Sequence, residues 1–248
     1  MNIAIIFAGG VGIRMGEAAI PKQFLRVNDI PIIIHTLRLF QHHEKIDKIY
    51  ISMVSSHVDY MQSLVEQYGI SKVCAIVPGG ETGQDSIYNA LRRAADENEG
   101  DSIVLIHDGV RPILSHEVIS ANIESVRQHR SAITITPCKE TILQVNEAGQ
   151  VEHIPARKYL HKAQAPQSFY LADILAAHDT LRNTPERYGD LVDSCSLYFK
   201  VHGPVHFVQS NLGNIKVTTP EDVYILRGLL MYRDAVLSFG VNENICMP

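Results

Sequence analysis

Short apolar runs alternate with amphipathic stretches along most of the chain. Ile3–Phe7 is almost wholly apolar and stops at Gly9-Gly10, as expected of a strand covered on both faces. Ile46–Val54, Lys72–Val77, Ser102–Ile106 and Ala132–Thr136 repeat the pattern. Between these runs lie Ile32–Phe40, Val58–Tyr68, Ser86–Ala95 and Val118–His129, each with apolar residues at helical spacing. Strand and helix in this alternation predict right-handed βαβ units and an α/β, doubly wound sheet, with ligands beyond the carboxyl ends of its strands.

After Pro137 the rhythm changes. Thr141–Val145, a turn at Asn146–Gly149 and Gln150–Ile154 read as a β-hairpin, an arm spanning about 138–156. A two-stranded ribbon is marginal alone in water, so it should pack on the parent domain or on a second subunit, and a dimer contact is favoured. The pattern then predicts a helix over Leu171–Leu181 and strands over Val205–Ser210 and Asn214–Val217. A last helix is announced by Thr219-Pro220-Glu221-Asp222: a capping hydroxyl, proline in the first turn and acids on the positive end of the dipole. One domain over 1–237 followed by a disordered tail over 238–248 accounts for the 248 residues.

Charge narrows the function. With 22 Lys+Arg against 27 Asp+Glu, a net charge of -5, the chain carries no basic footprint for nucleic acid and no polybasic membrane patch. The apolar start is too short for a signal core or a membrane span, and the four cysteines stand singly, so a soluble, cytoplasmic protein with reduced thiols is expected. The twelve histidines include no H-x-x-x-H or H-E-x-x-H, which argues against zinc chemistry.

Three segments can carry chemistry. Ala8-Gly9-Gly10-Val11-Gly12-Ile13-Arg14 follows a strand and offers backbone amides to a phosphate. It matches neither G-x-x-x-x-G-K-[ST] nor G-x-G-x-x-G, whose third glycine falls one position late at Gly16. Arg14 and Lys22 place two cations beside it, which suits a triphosphate whose charge must be neutralised during attack. Asp108, in His107-Asp108-Gly109-Val110-Arg111-Pro112, ends an apolar strand at the ligand edge, where one carboxylate together with substrate phosphates suffices for Mg²⁺. The glycine loop Pro78–Ser86 enters a helix, and its main chain can read the edge of a base.

In order along the chain, A-G-G-x-G-x-R-M, P-K-Q-F-L, G-G-x-x-x-x-x-S, H-D-x-x-R-P, A-Q-x-P-Q-x-F and N-I-K-V-T-x-P-E-D resemble the cytidylyltransferases that act on methylerythritol 4-phosphate or ribitol 5-phosphate, over roughly residues 1 to 235. The resemblance implies a homodimeric, Rossmann-like nucleotidyltransferase that joins CTP to a polyol phosphate with Mg²⁺ and releases pyrophosphate. It implies that Phe7, Ala8, Gly9, Gly10 and Gly12, with Gly80, Glu81, Thr82 and Ser86, hold CTP, that Asp108 holds the metal, and that Arg14 and Lys22 stabilise the transition state. Arg157 matches an arginine placed near the acceptor phosphate from the neighbouring subunit. Lys216 matches a second phosphate-side cation, and Arg111 an acceptor contact.

Gly83 stands where the family commonly has arginine, Gly109 where alanine or serine is usual, and Val192 where a threonine precedes Asp193. A valine cannot donate the hydrogen bond that threonine typically makes to the acceptor, so Asp193 or Ser194 is expected to take over. Ile154-Pro-Ala-Arg157 and Gln164–Phe169 look more like the ribitol branch, which makes CDP-ribitol the expected product and methylerythritol 4-phosphate the alternative acceptor. A non-catalytic nucleotide-binding regulator is the rival of another class. Retention of Arg14, Lys22, Asp108, Arg157 and Lys216 together argues against it.

Overall fold

The computed structural model describes residues 1–9 and 20–239, with side chains as far as Asp234. The expectations for Gly10, Gly12 and Arg14, and for the tail beyond 239, lie outside the described residues.

Strand β1 (Asn2–Ala8) is buried along nearly its whole length. After the short pair β2 (Arg26–Val27) and β3 (Ile30–Pro31), helix α1 (Ile32–Gln41) leads to β4 (Lys48–Met53), α2 (Val58–Gln67) to β5 (Val73–Pro78), and α3 (Gly83–Ala95) to β6 (Ile103–Asp108). Helix α4 (His116–His129) then leads to β7 (Ser131–Pro137), and an arm of β8 (Gln144–Val145) and β9 (Val151–His153) precedes β10 (His161–Tyr170). Helices α5 (Leu171–Arg182) and α6 (Ser194–His202), β11 (Phe207–Gln209) and α7 (Pro220–Phe239) complete the chain. The seven-stranded sheet runs β11-β7-β10-β6-β1-β4-β5.

The pleat sorts β1 between two cores. Ala4, Ile6 and Ala8 face α1, α2 and α4, where Ile33, Leu37, Phe40, Leu64, Ile119 and Ile123 are buried. Ile3 and Ile5 face α3, α5 and α6, against Ile87, Leu91, Ile174 and Leu197. Successive side chains of a strand point to opposite faces, so the continuous apolar run is what a strand between two helical layers requires. Ile87, Ala90, Leu91 and Ala94 make the buried stripe of α3, whose first turn is closed by Thr82 accepting from the Asp85 amide.

The chain builds outward from β1 to β4 and β5, then returns to place β6 on the other side of β1. The order therefore reverses between β1 and β6, and the crevice at such a reversal is where open α/β sheets bind ligands. Phe7 and Asp108 are register partners at that edge.

The sheet is not wholly parallel. Strand β10, absent from the hydrophobic pattern, inserts antiparallel between β6 and β7. Asn214–Val217, expected as a strand, is irregular backbone. Val217 donates one amide to the Val110 carbonyl, and the Asn214 side chain donates to Ala165 and Ser210. Its neighbour there is the loop after β6 rather than a strand, so no ladder can form. The final helix runs through Phe239, past the expected boundary at 237. It starts at Pro220 as read, with the Asp222 carboxylate accepting from the Thr218 and Thr219 amides.

The arm is antiparallel, but its paired strands are shorter than expected. Its turn is set by the Asn146 side chain, which accepts from the Ala148 and Gln150 amides, and by Gly149 at φ 75. Leu143, Val145, Val151 and Ile154 are each at least half exposed; the arm does not bury them on the parent domain. Among the described residues no helix is long and apolar enough to cross a membrane.

Candidate active site at the sheet reversal

At the carboxyl end of β6, Asp108 is buried and carries two cations. Arg111 Nε donates to Oδ2 at 2.7 Å and Lys216 Nζ to Oδ1 at 2.5 Å. Burial alone would push this carboxyl up; Lys216 and Arg111 outweigh it and hold it below the ordinary carboxylate value. Arg111 is fixed further by donating Nη1 to the Asn214 carbonyl at 3.0 Å. Lys216 leans over the Phe7 ring at 5.9 Å, and its side chain is 40% exposed. One cation is thus built into the fold and the other faces the crevice. Beside them His107 is neutral: burial pushes it down to about 4, and Nε2 donates to the Arg111 carbonyl.

Gly109 donates its amide to the Phe7 carbonyl, and a Cβ there would lie 3.0 Å from the Ala8 Cβ. The departure to glycine at 109 therefore has a packing reason: β1 and the loop after β6 approach too closely for an easy alanine.

The two glycine loops meet at one hydroxyl. A Cβ on Gly9 would come within 2.9 Å of Ser86 Oγ, and one on Gly79 within 2.8 Å. That oxygen accepts from the Gly80 amide and donates to the Thr82 carbonyl, each at 3.0 Å. Ser86, expected as a nucleotide contact, is in the first place the knot that shapes the loop. A Cβ on Gly80 would lie 2.3 Å from the Asp85 Cβ, so only glycine fits, whereas Gly83 faces open space.

Lys22 sits on a short 3-10 turn, Lys22–Phe24, docked by buried Gln23, whose Nε2 donates to the Ala8 carbonyl at 3.0 Å. That bond brings Lys22 to the end of β1. Asp193 is committed to structure: it caps α6 by accepting from the Ser196 amide, and Oδ2 accepts from Gln167. Ser194 is buried, and Val192 beside them is 90% exposed. Arg157 lies on the exposed turn after the arm and donates to the Lys139 carbonyl, within the arm itself. Phe7, Ala8, Gly9, Lys22, Gly80, Ser86, Asp108, Arg111 and Lys216 thus gather at one sheet edge, and Arg157 stands apart from them.

Sequence reasoning missed Gln23 and Asn214, the amides that dock two of these pieces, and the arginines on Asp85. At the head of α3, Asp85 accepts from Thr82 Oγ1, from Arg187 Nη2 at 2.9 Å and from Arg182 Nη1. Only P-K-Q-F and N-I-K-V, flanking the cations, marked the amides in the sequence. Nothing local marks a partner some hundred residues away.

One aspartate between a fixed and an exposed cation, beside two glycine loops and, among the described residues, with no nucleophile–base pair at the site, suits the holding and neutralising of phosphates. Among the described residues no three His, Cys, Asp or Glu side chains gather to ligate a metal by themselves. A family model described as 2-C-methyl-D-erythritol 4-phosphate cytidylyltransferase, IspD, matches residues 2–231. The chain is 43% identical over 240 residues to a ribitol-5-phosphate cytidylyltransferase of Vibrio parahaemolyticus, covering 97% of this chain and all of that one. It is 39% identical to a 2-C-methyl-D-erythritol 4-phosphate cytidylyltransferase of Geotalea uraniireducens, covering 92% and 95%. The solved 4-diphosphocytidyl-2C-methyl-D-erythritol synthase of Anaerococcus prevotii superposes with a TM-score of 0.79 at 27% identity over 93% of this chain and 96% of that one. A sheet reversal lined by these cations, matched end to end in sequence and in fold, makes this chain a member of the IspD cytidylyltransferase family.

Proposed function

We propose that this protein joins CTP and D-ribitol 5-phosphate into CDP-ribitol and pyrophosphate. The observation that carries the chemistry is the cation set at the sheet reversal, Lys216 and Arg111 on Asp108 with Lys22 docked beside β1. Choice of acceptor rests on the relatives, 43% identical for a ribitol-phosphate enzyme against 39% for a methylerythritol-phosphate enzyme.

The acceptor's phosphate oxygen is already anionic at neutral pH, so no general base is required. It attacks the α-phosphorus of CTP in line; the new oxygen–phosphorus bond forms as the bond to the β-phosphate bridging oxygen breaks, and pyrophosphate leaves with that electron pair. Lys22, and Arg14 by family resemblance, neutralise the charge that grows during attack, and Lys216 orients the acceptor phosphate while buried Arg111 holds Asp108 in place. Magnesium binds hard oxygens and usually takes only one or two carboxylates plus substrate phosphates. Asp108 fits: Oδ2 is fixed by buried Arg111, and Oδ1 pairs with the more exposed Lys216, whose long side chain can turn to a phosphate. When bound, the ion would neutralise the departing pyrophosphate.

The arm's exposed apolar side chains suit a second copy of the chain, which would carry Arg157 to the partner's acceptor site. The test is pyrophosphate release with CTP and Mg²⁺, offering ribitol 5-phosphate, methylerythritol 4-phosphate or no acceptor. Turnover only with ribitol 5-phosphate is expected; preference for the other acceptor would move the enzyme to the methylerythritol branch. Lys22→Ala should lower kcat by about a hundredfold, the scale of losing one preorganised charge donor.

A further inference from the structure

Helix α7 is apolar on two opposite sides. Inward, Leu226 and Leu230 are buried and join Val27, Ile32, Val110 and Val217 in a small core beside the site. Outward, Tyr224 is 72% exposed, Ile225 51%, Met231 69% and Tyr232 41%. At about 100° per residue these four fall within about 60° of Gly228 around the helix, and Leu226 and Leu230 lie about 160° away. A Cβ on Gly228 would meet nothing within 4 Å. Arg227, Arg233 and Asp234 fall to the sides of this outer stripe. A helix that has only one core to face carries polar residues on its other side, and an ordered exposed apolar stripe, unlike scattered single residues, marks a contact surface.

The order of the residues says what covers it. Tyr224-Ile225-Leu226-Arg227-Gly228-Leu229-Leu230-Met231-Tyr232 reads nearly the same in both directions from Gly228: tyrosine four residues away on each side, isoleucine or methionine three away, leucine two away. Two copies of this segment crossing antiparallel about a two-fold axis at Gly228 set Tyr224 beside the partner's Tyr232 and Ile225 beside the partner's Met231, and the axis repeats both contacts. Such reciprocity, residue i on j and j on i, is what an isologous contact requires. The glycine at the centre lets the two backbones approach, and tyrosine and methionine are residues that interface cores favour.

We propose that the outer face of α7 docks on α7 of a second copy of this chain, through a two-fold axis at Gly228. This surface is separate from the arm, which leaves the sheet between β7 and β10, and it depends neither on the nucleotide nor on the acceptor. One helix crossing falls short of the roughly 1,000 Å² that a stable interface buries. The contact therefore forms in concentrated protein and is lost on dilution, where the arm alone sets the assembly.

The test uses the full-length protein. Helices packed roughly 8–10 Å apart, with Cα atoms about 2.3 Å from each axis, bring facing Cα atoms to roughly 4–5 Å, within the span of a disulfide. Gly228→Cys should therefore give a reducible dimer on mild oxidation. Glu221→Cys, on the same face but about 21 Å from its mate across the axis, should not, and wild type with its native thiols is the blank. By light scattering, the wild-type mass should rise about twofold from dilute to concentrated protein. Ile225→Asp with Met231→Asp, checked for native circular dichroism, should keep the dilute mass throughout. Should that double variant misfold, the two cysteine variants decide by themselves. A Gly228→Cys protein that does not cross-link, or a Glu221→Cys protein that cross-links as well, would overturn the proposal. So would a wild-type mass that stays flat, or a rise that survives in the double variant and thereby belongs to another surface.

Discussion

Asp108 holds two cations that the fold buries unequally, and removing each should fail differently. Arg111→Met deletes the 2.7 Å bond to Oδ2 and the 3.0 Å bond to the Asn214 carbonyl, between groups about nine-tenths buried. Stranding one member of a buried pair costs roughly 3–5 kcal/mol, and since Lys216 stays on Oδ1 the lower end, about 3 kcal/mol, applies. That is a large part of the roughly 5–15 kcal/mol by which a typical domain is stable. Lys216→Met deletes a bond just as short, 2.5 Å, but from a side chain 40% exposed. Solvent screening reduces such a pair to about 1 kcal/mol or less, whereas loss of a phosphate-side charge should lower kcat by about a hundredfold. The chain has no tryptophan, so urea unfolding is best followed by far-ultraviolet circular dichroism, beside pyrophosphate release at saturating CTP. Equal stability losses in the two variants, or a Lys216→Met enzyme with normal turnover, would refute this division between a structural and a working cation.

Three further outcomes are expected. Gly80→Ala drives a Cβ to 2.3 Å from the Asp85 Cβ and should cost roughly 1–3 kcal/mol with weakened CTP binding, while Gly83→Ala, with open space around it, should be neutral or stabilising; equal effects in a melting experiment would contradict the packing described. Burial pushes His107 and His178 down to about 4, so the unfolded chain, with histidines near 6.5, takes up protons first and stability should fall from about pH 6.5 towards 4. The depressed Asp108 and Asp85 continue that fall below about 3.9, and a flat unfolding free energy between pH 6.5 and 4 would count against it. Val145→Asp with Ile154→Asp should leave a folded monomer with poor turnover by light scattering and assay, and a wild type that is already monomeric would remove the arm from the mechanism.

How much of this could be read beforehand depended on where each signal lay. The strands β1, β4, β5, β6 and β7 and the four helices among them were legible because a layer covered on both faces needs unbroken apolar runs, and its helices need stripes such as Ile87-Ala90-Leu91-Ala94. Strand β10 hid because its centre, Gln164–Ser168, is polar. Much of that polarity is paired inside the fold, where Thr134 donates to the Pro166 carbonyl and Ser168 to Asn122, whose amide donates to Thr134. Asn214–Val217 misled for the opposite reason: Ile215 and Val217 alternate like a strand, but Val217 fills a small core with Val110 and Leu226. Of the site, Lys22 and Asp108 stood out because one follows a glycine loop and the other ends a strand, and Lys216 through the family resemblance alone. Arg182 and Arg187 did not, since their meaning arises only from the folding of α5 against α3.

The hydroxyl shared between the two glycine loops has a consequence for heredity as well as for shape. Positions 9, 79 and 86 occupy one small volume, so a methyl group gained at either glycine must be offset by atoms lost at the serine. In descendants of this sequence these three positions should change together or not at all. Any attempt to graft a different nucleotide preference onto this scaffold would have to transplant them as a block.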